Sequence, residues 1–410
     1  MSAIRAGICA LLAFAVLAHG AVEPWSEAVL EAGAALLLLV WAWIAATDPD
    51  FQVFWNPLFP PLLAICIVGA MQWAAGVSLV PFLTQTELVK YSTLLALFFL
   101  CVQSYRTREH WRGFVWFLMI LGFGVSLFAI LQHFTWNGKL YWVREMRYGG
   151  MPFGPYVNRN HFAGLMELLI PPGVAIQVLG AERRDQSPLL TLFILLHIGA
   201  LFLSASRGGI ITFVVEMVFL AILVLLRRRE KNGLLAAAVI LGLAVVMVSW
   251  LGIGTALERF AGYRGLEVSE GRRVGMLHGS LRIFHDHPVL GTGLGTLQEV
   301  FPRYETVYDG LIVNHSHNDY AEALAETGAI GGICFLAFLT LLFWKAWKII
   351  DADQDARNLA YHAGALVACS GLLVHAVVDF NFHIPSNALL FLIQAALATS
   401  ILPLPSEGWP

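Results

Sequence analysis

Residues 314–349 read NHSHNDYAEALAETGAIGGICFLAFLTLLFWKAWKI, a polar segment followed at once by a long apolar run. The apolar run predicts a membrane-spanning helix, because one crossing takes about 20 mostly apolar residues. The polar segment places two histidines, amides and acids directly before that span. Ionisable groups at a membrane edge are costly and usually serve a function, so this junction predicts both the fold class and the position of a site.

The composition of the whole chain agrees with a membrane protein. The 410 residues are 58% hydrophobic and 13% charged, with a mean hydropathy of +0.71, which excludes an ordinary water-soluble domain. We predict an all-α polytopic membrane protein with about 12 transmembrane helices and one large periplasmic loop. The expected spans lie near residues 3–21, 27–46, 58–76, 88–103, 111–132, 160–180, 188–205, 208–226, 233–254, 328–349, 359–379 and 385–402.

These spans divide the chain into four parts. N-terminal helices occupy residues 1–133, and central helices with an aromatic external loop occupy 134–254. A periplasmic loop with the site occupies 255–327, and C-terminal helices occupy 328–410. The first span also has the pattern of a signal peptide, with Arg5, an apolar run and small residues. Cleavage there would leave the orientation of the later spans unchanged.

Orientation follows from the basic residues of the short loops, which favour the cytoplasmic side. With Arg5 cytoplasmic, the same side receives Arg106, Arg108, Arg112, Arg183, Arg184, Arg227, Arg228, Arg229, Lys231, Lys345, Lys348 and Arg357. Many other cations fall on the periplasmic side, where topology disfavours them, and this favours an anionic ligand there. They are Lys139, Arg144, Arg147, Arg159, Arg207, Arg259, Arg264, Arg272, Arg273, Arg282 and Arg303.

Several classes of function lack support in the sequence. The net charge of −3 and the absence of a Walker-type loop argue against nucleic-acid binding and ATP hydrolysis. The five cysteines lie in or beside apolar runs without metal or disulfide spacing, so we assign them to packing.

Two external segments are large enough to hold a site. Residues 134–158 mix aromatic and basic side chains, a composition that suits sugars and phosphates and equally an interfacial aromatic belt. Residues 255–325 contain GTGLGT at 291–296, which we interpret as a turn-rich lid.

A helix is expected directly before the tenth span. Asn314 or Ser316 is the expected N-cap, and Gly328 is expected to end the helix. His317 would then lie in the first turn, where the helix dipole disfavours imidazolium. A neutral imidazole there can accept a proton from a hydroxyl.

Four motifs together resemble the O-antigen ligase and polymerase superfamily of bacterial envelope glycosyltransferases. His317, Asn318, Gly328 and Gly331 have the spacing of its ligase pattern, and SASRGG around Arg207 is similar to its span-edge arginine motif. Arg273 with the following LRIFHDHPVLGTGLGT is similar to its arginine and HPxxGxG segment, and NRNHFAG at 158–164 occurs in some members.

The resemblance implies an enzyme that transfers an oligosaccharide from undecaprenyl diphosphate to an acceptor hydroxyl at the periplasmic face of the inner membrane. It implies His317 as the base and arginines that hold the diphosphate, with neither metal nor cofactor. One guanidinium group can contact two phosphate oxygens at once. This geometry favours Arg207 and Arg273 as the residues that hold the diphosphate. Direct displacement predicts inversion at the anomeric carbon. Further substrate contacts are expected from Arg159, Asn160, Arg272, His315 and Asn318.

Other functions remain open at this point. The same motifs fit a ligase, a repeat-unit polymerase or a protein O-oligosaccharyltransferase, with a lipid or glycan acceptor. His197, Glu216, His375 and Asp379 lie in or beside apolar runs, as in a secondary transporter or lipid flippase, although no internal repeat is visible. A metalloenzyme built from HDH and HSH is disfavoured, because histidines two apart cannot face one metal from a regular helix.

Overall fold

The computed structural model describes residues 1–145, 151–181, 185–227, 270–305, 310–353 and 355–402, with the isolated residues 238 and 242. The predicted ninth span, 233–254, lies largely outside the described residues, as do Arg147, Arg183, Arg184, Arg228, Arg229, Lys231, Arg259 and Arg264.

The described part of the chain is helical, apart from turns and isolated bridges. The first eight helices are α1 Ser2–Leu17, α2 Pro24–Thr47, α3 Phe59–Ala74, α4 Pro81–Ser104, α5 Arg108–Phe134, α6 Arg159–Val178, α7 Ser187–Leu203 and α8 Arg207–Arg227. They are followed by α9 Glu270–Asp286, the short α10 Leu297–Val300, α11 Asp319–Ala352, α12 Ala356–His375 and α13 Pro385–Thr399. Single 3₁₀ turns lie at Phe301–Arg303 and Asn381–His383.

Six of the described helices are long and apolar enough to cross a membrane, namely α2, α4, α5, α6, α8 and α11. Helices α1, α3, α7 and α13 are also apolar but have only 15–17 residues. The described residues therefore form an all-helical, polytopic membrane protein, as the composition predicted. The count of about 12 and the periplasmic position of the large loop stay predictions.

Local sequence explains where many helices begin. Proline occupies the first or second position of α2, α3, α4, α7 and α13, where its missing N–H costs no helical hydrogen bond. Thr107, Asn158 and Asp355 cap α5, α6 and α12 by accepting hydrogen bonds from backbone N–H groups.

The centre of the bundle is formed by α6, α12 and α13. All fifteen residues of α13 are buried, and α12 packs against α6, α8 and α13. At the α6–α12 contact, a Cβ on Gly364 would lie 2.7 Å from Cα of Pro172. Small residues allow such close approach between membrane helices. Pro171 and Pro172 lie inside α6 at this contact.

The two ends of the bundle carry different polar contacts. At one end, Arg108 pairs with Asp355 at 2.6 Å, and Arg112 donates to Gln186 at 2.6 Å. These contacts bring together loops that charge patterning assigned to one side of the membrane. The N-termini of α6, α8, α11 and α13 lie at the opposite end, where they meet the loop 376–384.

Helix α11 differs from its expected form. Asn318, rather than Asn314 or Ser316, is the N-cap, because its side chain accepts from the N–H of Ala321 at 2.9 Å. Gly328 does interrupt the helix as predicted, with φ 63° and ψ −164°. The chain nevertheless continues as helix to Ala352, so the capped helix and the tenth span meet at a kink.

Candidate active site

Two distant segments converge on the carboxylate of Asp379, which is fully buried in the loop 376–384. Asn160, at the start of α6, donates from Nδ2 to Oδ2 of Asp379 at 2.5 Å. Nε2 of His161 lies 3.7 Å from Oδ1, and Nδ1 of His317 lies 3.5 Å from the same oxygen. Asp379 therefore connects the α6 N-terminus with the histidine motif that precedes α11.

Asp379 is held as an anion. Burial alone would raise its pKa, but the neighbouring imidazoles of His161 and His317 hold the pKa well below its ordinary value of 3.8. A carboxylate beside Nδ1 of His317 favours the tautomer with its proton on Nδ1. In that tautomer Nε2 of His317 is free to accept a proton.

The position of His317 corrects the expectation of a first-turn residue. His317 directly precedes the N-cap Asn318, and its φ of 51° lies in the left-handed region that residues with a Cβ rarely adopt. Such backbone strain persists where surrounding contacts enforce it and clusters at functional sites. The turn directs the imidazole toward Asp379 and leaves 14% of the side chain exposed.

The backbone of α11 is fastened to the same loop. Asn318 donates from Nδ2 to the carbonyl of Val377 at 2.9 Å, and the N–H of Asp319 donates to the carbonyl of Ala376 at 3.0 Å. The side chain of Asn318 is thus used for capping and bracing. Its predicted contact with substrate stays untested.

The ring of Phe380 lies among three imidazoles. His315 stacks on it with ring centroids 4.4 Å apart, and His161 and His317 meet it edge to face at 4.6 and 4.9 Å. These contacts restrict the rotation of all three rings. Phe380 therefore separates the His317–Asp379 pair from a second polar cluster on the side of His315.

The second cluster contains His315, Asp319, Glu322 and His383. His315 donates from Nδ1 to Oε1 of Glu322 at 2.7 Å, and Nδ1 of His383 donates to Oδ1 of Asp319 at 2.8 Å. Burial would lower the pKa of His383, but the charges of Glu322 and Asp319 raise it to about 10. The cluster is thus held together by opposite charges as well as by hydrogen bonds.

The predicted arginines approach the same loop from two helices. Arg273, on α9, donates from Nη1 to the carbonyl of Val378 at 3.2 Å. Arg207 is exposed and begins α8, directly after Ser206, whose hydroxyl donates to Oδ1 of Asn160 at 2.9 Å. Sequence reasoning therefore selected two cations that the fold brings to the neighbourhood of Asp379.

The glycines of SASRGG allow α8 to begin close to its neighbours. A Cβ on Gly208 would lie 2.6 Å from Nε2 of His375, and one on Gly209 would lie 2.5 Å from Cβ of Ala163. Neither site tolerates a side chain without movement. The motif thus fixes the first turn of α8 against α6 and α12.

The two other predicted arginines have different surroundings. Arg272 donates to the carbonyl of Leu311 at 3.1 Å and is half-buried. Arg159 is only 3% exposed, and its backbone N–H donates to the carbonyl of Met151 at 2.8 Å. Asn160, between Arg159 and His161, donates a hydrogen bond directly to Asp379.

The GTGLGT segment is a buried brace, and the interpretation as a lid is wrong for these residues. Glu326 accepts from the backbone N–H groups of Gly295 and Leu297 at 2.9 and 3.0 Å. Gln72, on α3, accepts from the N–H of Leu294 and donates to the carbonyl of Glu326. The segment therefore holds the kink of α11 against α3.

The external aromatic loop packs on the bundle in its described part. Tyr141 stacks on Phe128 at 4.8 Å, and Arg144 pairs with Glu23. Tyr156 contacts Ser386 and Asn387, and Asn387 donates to the carbonyl of His161 at 2.9 Å. The sugar-binding and interfacial interpretations of this loop both remain open.

Sequence reasoning missed the central position of the loop 376–384. The sequence places Asp379 only among the ionisable groups typical of a transporter or flippase, and it does not select Phe380 or His383. A signal is present, since Asp379 ends the eleventh predicted span and FNFH at 380–383 lies between that span and the last one. That junction falls on the same predicted face as the histidine motif.

Comparison with known families bears on this geometry. Residues 191–336 match the family model described as O-antigen ligase. The predicted resemblance is confirmed. The match includes Arg207, Arg273 and His317, whereas Asp379 lies beyond its end. No curated protein matches the chain. The O-antigen ligase family, together with the apolar helices, indicates a multi-pass membrane enzyme of the glycosyltransferase type that acts on a membrane-embedded, lipid-linked glycan.

Proposed function

We propose that this protein transfers an oligosaccharide from undecaprenyl diphosphate to an acceptor hydroxyl at the periplasmic face of the bacterial inner membrane. The observation that carries the proposal is the His317–Asp379 pair, with Nδ1 and Oδ1 at 3.5 Å. A histidine oriented by a buried carboxylate is an arrangement suited to a general base. The family match over residues 191–336 supports the class of reaction.

In the proposed step, Nε2 of His317 accepts the proton of the acceptor hydroxyl. The acceptor oxygen attacks the anomeric carbon while the bond from that carbon to the diphosphate oxygen breaks. Asp379 stabilises the imidazolium that forms, and the electron pair leaves with undecaprenyl diphosphate. Direct displacement from the opposite face inverts the configuration at the anomeric carbon.

Arg207 and Arg273 would bind the leaving group. A diphosphate gains negative charge as the glycosidic bond breaks, and a guanidinium can contact two phosphate oxygens at once. Interactions that strengthen as charge develops lower the barrier. The displacement proposed here assigns no step to a metal or a cofactor.

The test is transfer by purified protein supplied with lipid-linked oligosaccharide and acceptor. His317→Ala is expected to reduce the rate by about a hundredfold to ten-thousandfold, because a general base is lost. His278→Ala is the matched control, since His278 is exposed on α9 and lies outside the Asp379 cluster. Full activity of His317→Ala would overturn the assignment of the base.

The acceptor distinguishes three versions of this function. A ligase, a repeat-unit polymerase and a protein O-oligosaccharyltransferase share the donor and the chemistry. Mass spectrometry of surface glycans from a deletion strain separates them, because each acceptor leaves a different unfinished intermediate.

A second candidate, a transporter or lipid flippase, is favoured by buried ionisable groups. His375 donates from Nδ1 to Oε1 of Glu167 at 2.8 Å, and Glu216 is buried on α8. Intramembrane acids and histidines often form proton relays. Movement of a lipid-linked substrate from one leaflet to the other in vesicles that contain the protein, without formation of a glycosidic bond, would favour this candidate.

A further inference from the structure

Three side chains from two separate segments direct ligand-type atoms at one point beside the proposed active site. They are His315, which precedes α11, Glu322, in the first turns of α11, and His383, which precedes α13. Nδ1 of His315 and Nε2 of His383 lie 2.7 and 3.2 Å from Oε1 of Glu322. All three ligand-type atoms lie within 4.8 Å of one another.

Each of the three side chains is oriented by a further contact. His383 donates from Nδ1 to Asp319 at 2.8 Å, which turns Nε2 toward Glu322. The N–H of Ser316 donates to Oε2 of Glu322 at 2.8 Å, which leaves Oε1 toward the histidines. His315 is held by its stacking on Phe380. A carboxylate behind a histidine is the usual outer contact of a metal-binding imidazole.

We propose that His315, Glu322 and His383 bind one Zn²⁺ ion. Two imidazole nitrogens and one carboxylate oxygen are a ligand set that zinc accepts, whereas calcium and magnesium prefer oxygen ligands alone. Three protein ligands leave a fourth position for water. The side chain of His315 is 30% exposed, so the ion has a path from solvent, while Glu322 is 1% exposed.

The observed spacing requires only small adjustments. Tetrahedral zinc with bonds of about 2.0–2.2 Å separates its ligand atoms by about 3.4 Å. Two of the observed separations are 2.7 and 3.2 Å, and the third lies within 4.8 Å. Widening the 2.7 Å contact between His315 and Glu322 by about 0.7 Å would bring that pair to the required spacing.

The proposed site takes a single histidine from the HSH sequence. Only His315 of that motif faces the cluster, because His317 is directed at Asp379 on another side of Phe380. The second histidine comes from the loop before α13. The ion would join that loop to α11, apart from the proposed base. The site stands or fails independently of glycan transfer.

The test measures metal binding by the untagged full-length protein in detergent. After loading with Zn²⁺ and removal of free metal, elemental analysis is expected to find one zinc per chain. Substitution with Co²⁺ is expected to give the visible absorption of a site with low coordination number. His315→Ala and His383→Ala are expected to lose both signals, and His287→Ala, the matched control, is expected to keep them.

Asp319→Asn gives a graded result. It keeps the three ligands but weakens the contact behind His383, so zinc affinity is expected to fall about 10-fold to 100-fold. Wild-type protein that retains far less than one zinc per chain overturns the proposal, whatever the variants do. Full retention of zinc by a folded double variant, His315→Ala with His383→Ala, overturns it as well.

Discussion

Nδ1 of His317 lies 3.5 Å from Oδ1 of Asp379. His317 precedes α11 in the chain, and Asp379 follows α12. The pairing depends on the reversal of chain direction between those helices. It also depends on the left-handed turn at His317, with φ 51°. The histidine motif therefore acquires its carboxylate partner only in the folded bundle.

Replacement of Asp379 tests that relationship. Asp379→Asn keeps the size of the side chain but removes the charge that orients and stabilises the imidazole. We expect the transfer rate to fall by about a hundredfold to ten-thousandfold, measured as kcat/KM with purified protein. Asp286→Asn, at an exposed acid on α9, is the control and is expected to change the rate little. A transfer rate of Asp379→Asn as high as that of Asp286→Asn would show that the Asp379 charge does not contribute to the reaction.

The pH dependence follows from the low pKa of Asp379. A carboxyl whose pKa is lowered by folding stabilises the protein above its unfolded-state pKa, and the effect is lost as pH falls through the folded pKa. Because the folded pKa lies well below 3.8, Asp379 stays ionised between about pH 5 and pH 8. The difference in thermal midpoint between the wild-type protein and Asp379→Asn, measured in detergent, should therefore be similar at about pH 5 and at about pH 8. A difference that shrinks markedly toward the acidic end of that window would contradict this.

The arginines test whether shape or charge binds the diphosphate. Arg207→Lys and Arg273→Lys keep the charge but lose the two-point contact with phosphate. We expect both variants to insert and accumulate normally but to lose most glycan transfer. Arg282→Lys is the matched control, since Arg282 is exposed on the same helix as Arg273. Near-normal transfer by both Lys variants would indicate that Arg207 and Arg273 are interfacial cations without a two-point contact to phosphate.

The kink of α11 requires a glycine at position 328, and Gly275 in α9 serves as the control. A Cβ on Gly328 would lie 2.4 Å from the backbone of Val289, and φ there is 63°. Gly328→Ala is expected to destabilise the protein by about 1–3 kcal/mol. Gly275→Ala, in α9 with no atom within 4 Å of the added Cβ, is expected to be neutral or slightly stabilising. Thermal unfolding in detergent measures both, and an unchanged midpoint for Gly328→Ala would remove the kink requirement.

Topology can be tested with single cysteines in a variant from which the five native cysteines are removed. Ile312, which is 73% exposed, lies near the proposed active site, and exposed Asp50 lies in the loop between α2 and α3. Ile312→Cys should react with an impermeant maleimide in intact spheroplasts. Asp50→Cys should react only after lysis. The reverse pattern would invert the proposed orientation.

The sequence alone determined the fold class and the general position of the site. Long apolar runs predict helices because lipid offers no hydrogen-bond partners, so the backbone must satisfy its own groups. Local motifs also selected His317, Arg207 and Arg273. Gly328 was correctly identified as the break before the tenth span, since glycine readily adopts a positive φ.

Only the tertiary structure decided which of these groups meet. Asn314, Ser316 and Asn318 are all capable N-caps within one short segment, and the contact of Asn318 with Val377 selects the last of them. In the sequence, Asp379 is one of several acids beside apolar runs. In the folded protein it contacts the N-terminus of α6 and the segment before α11. Local sequence sets backbone preferences, whereas partner choice depends on how α6, α11, α12 and α13 pack, and that packing is the sum of many contacts between residues distant in sequence.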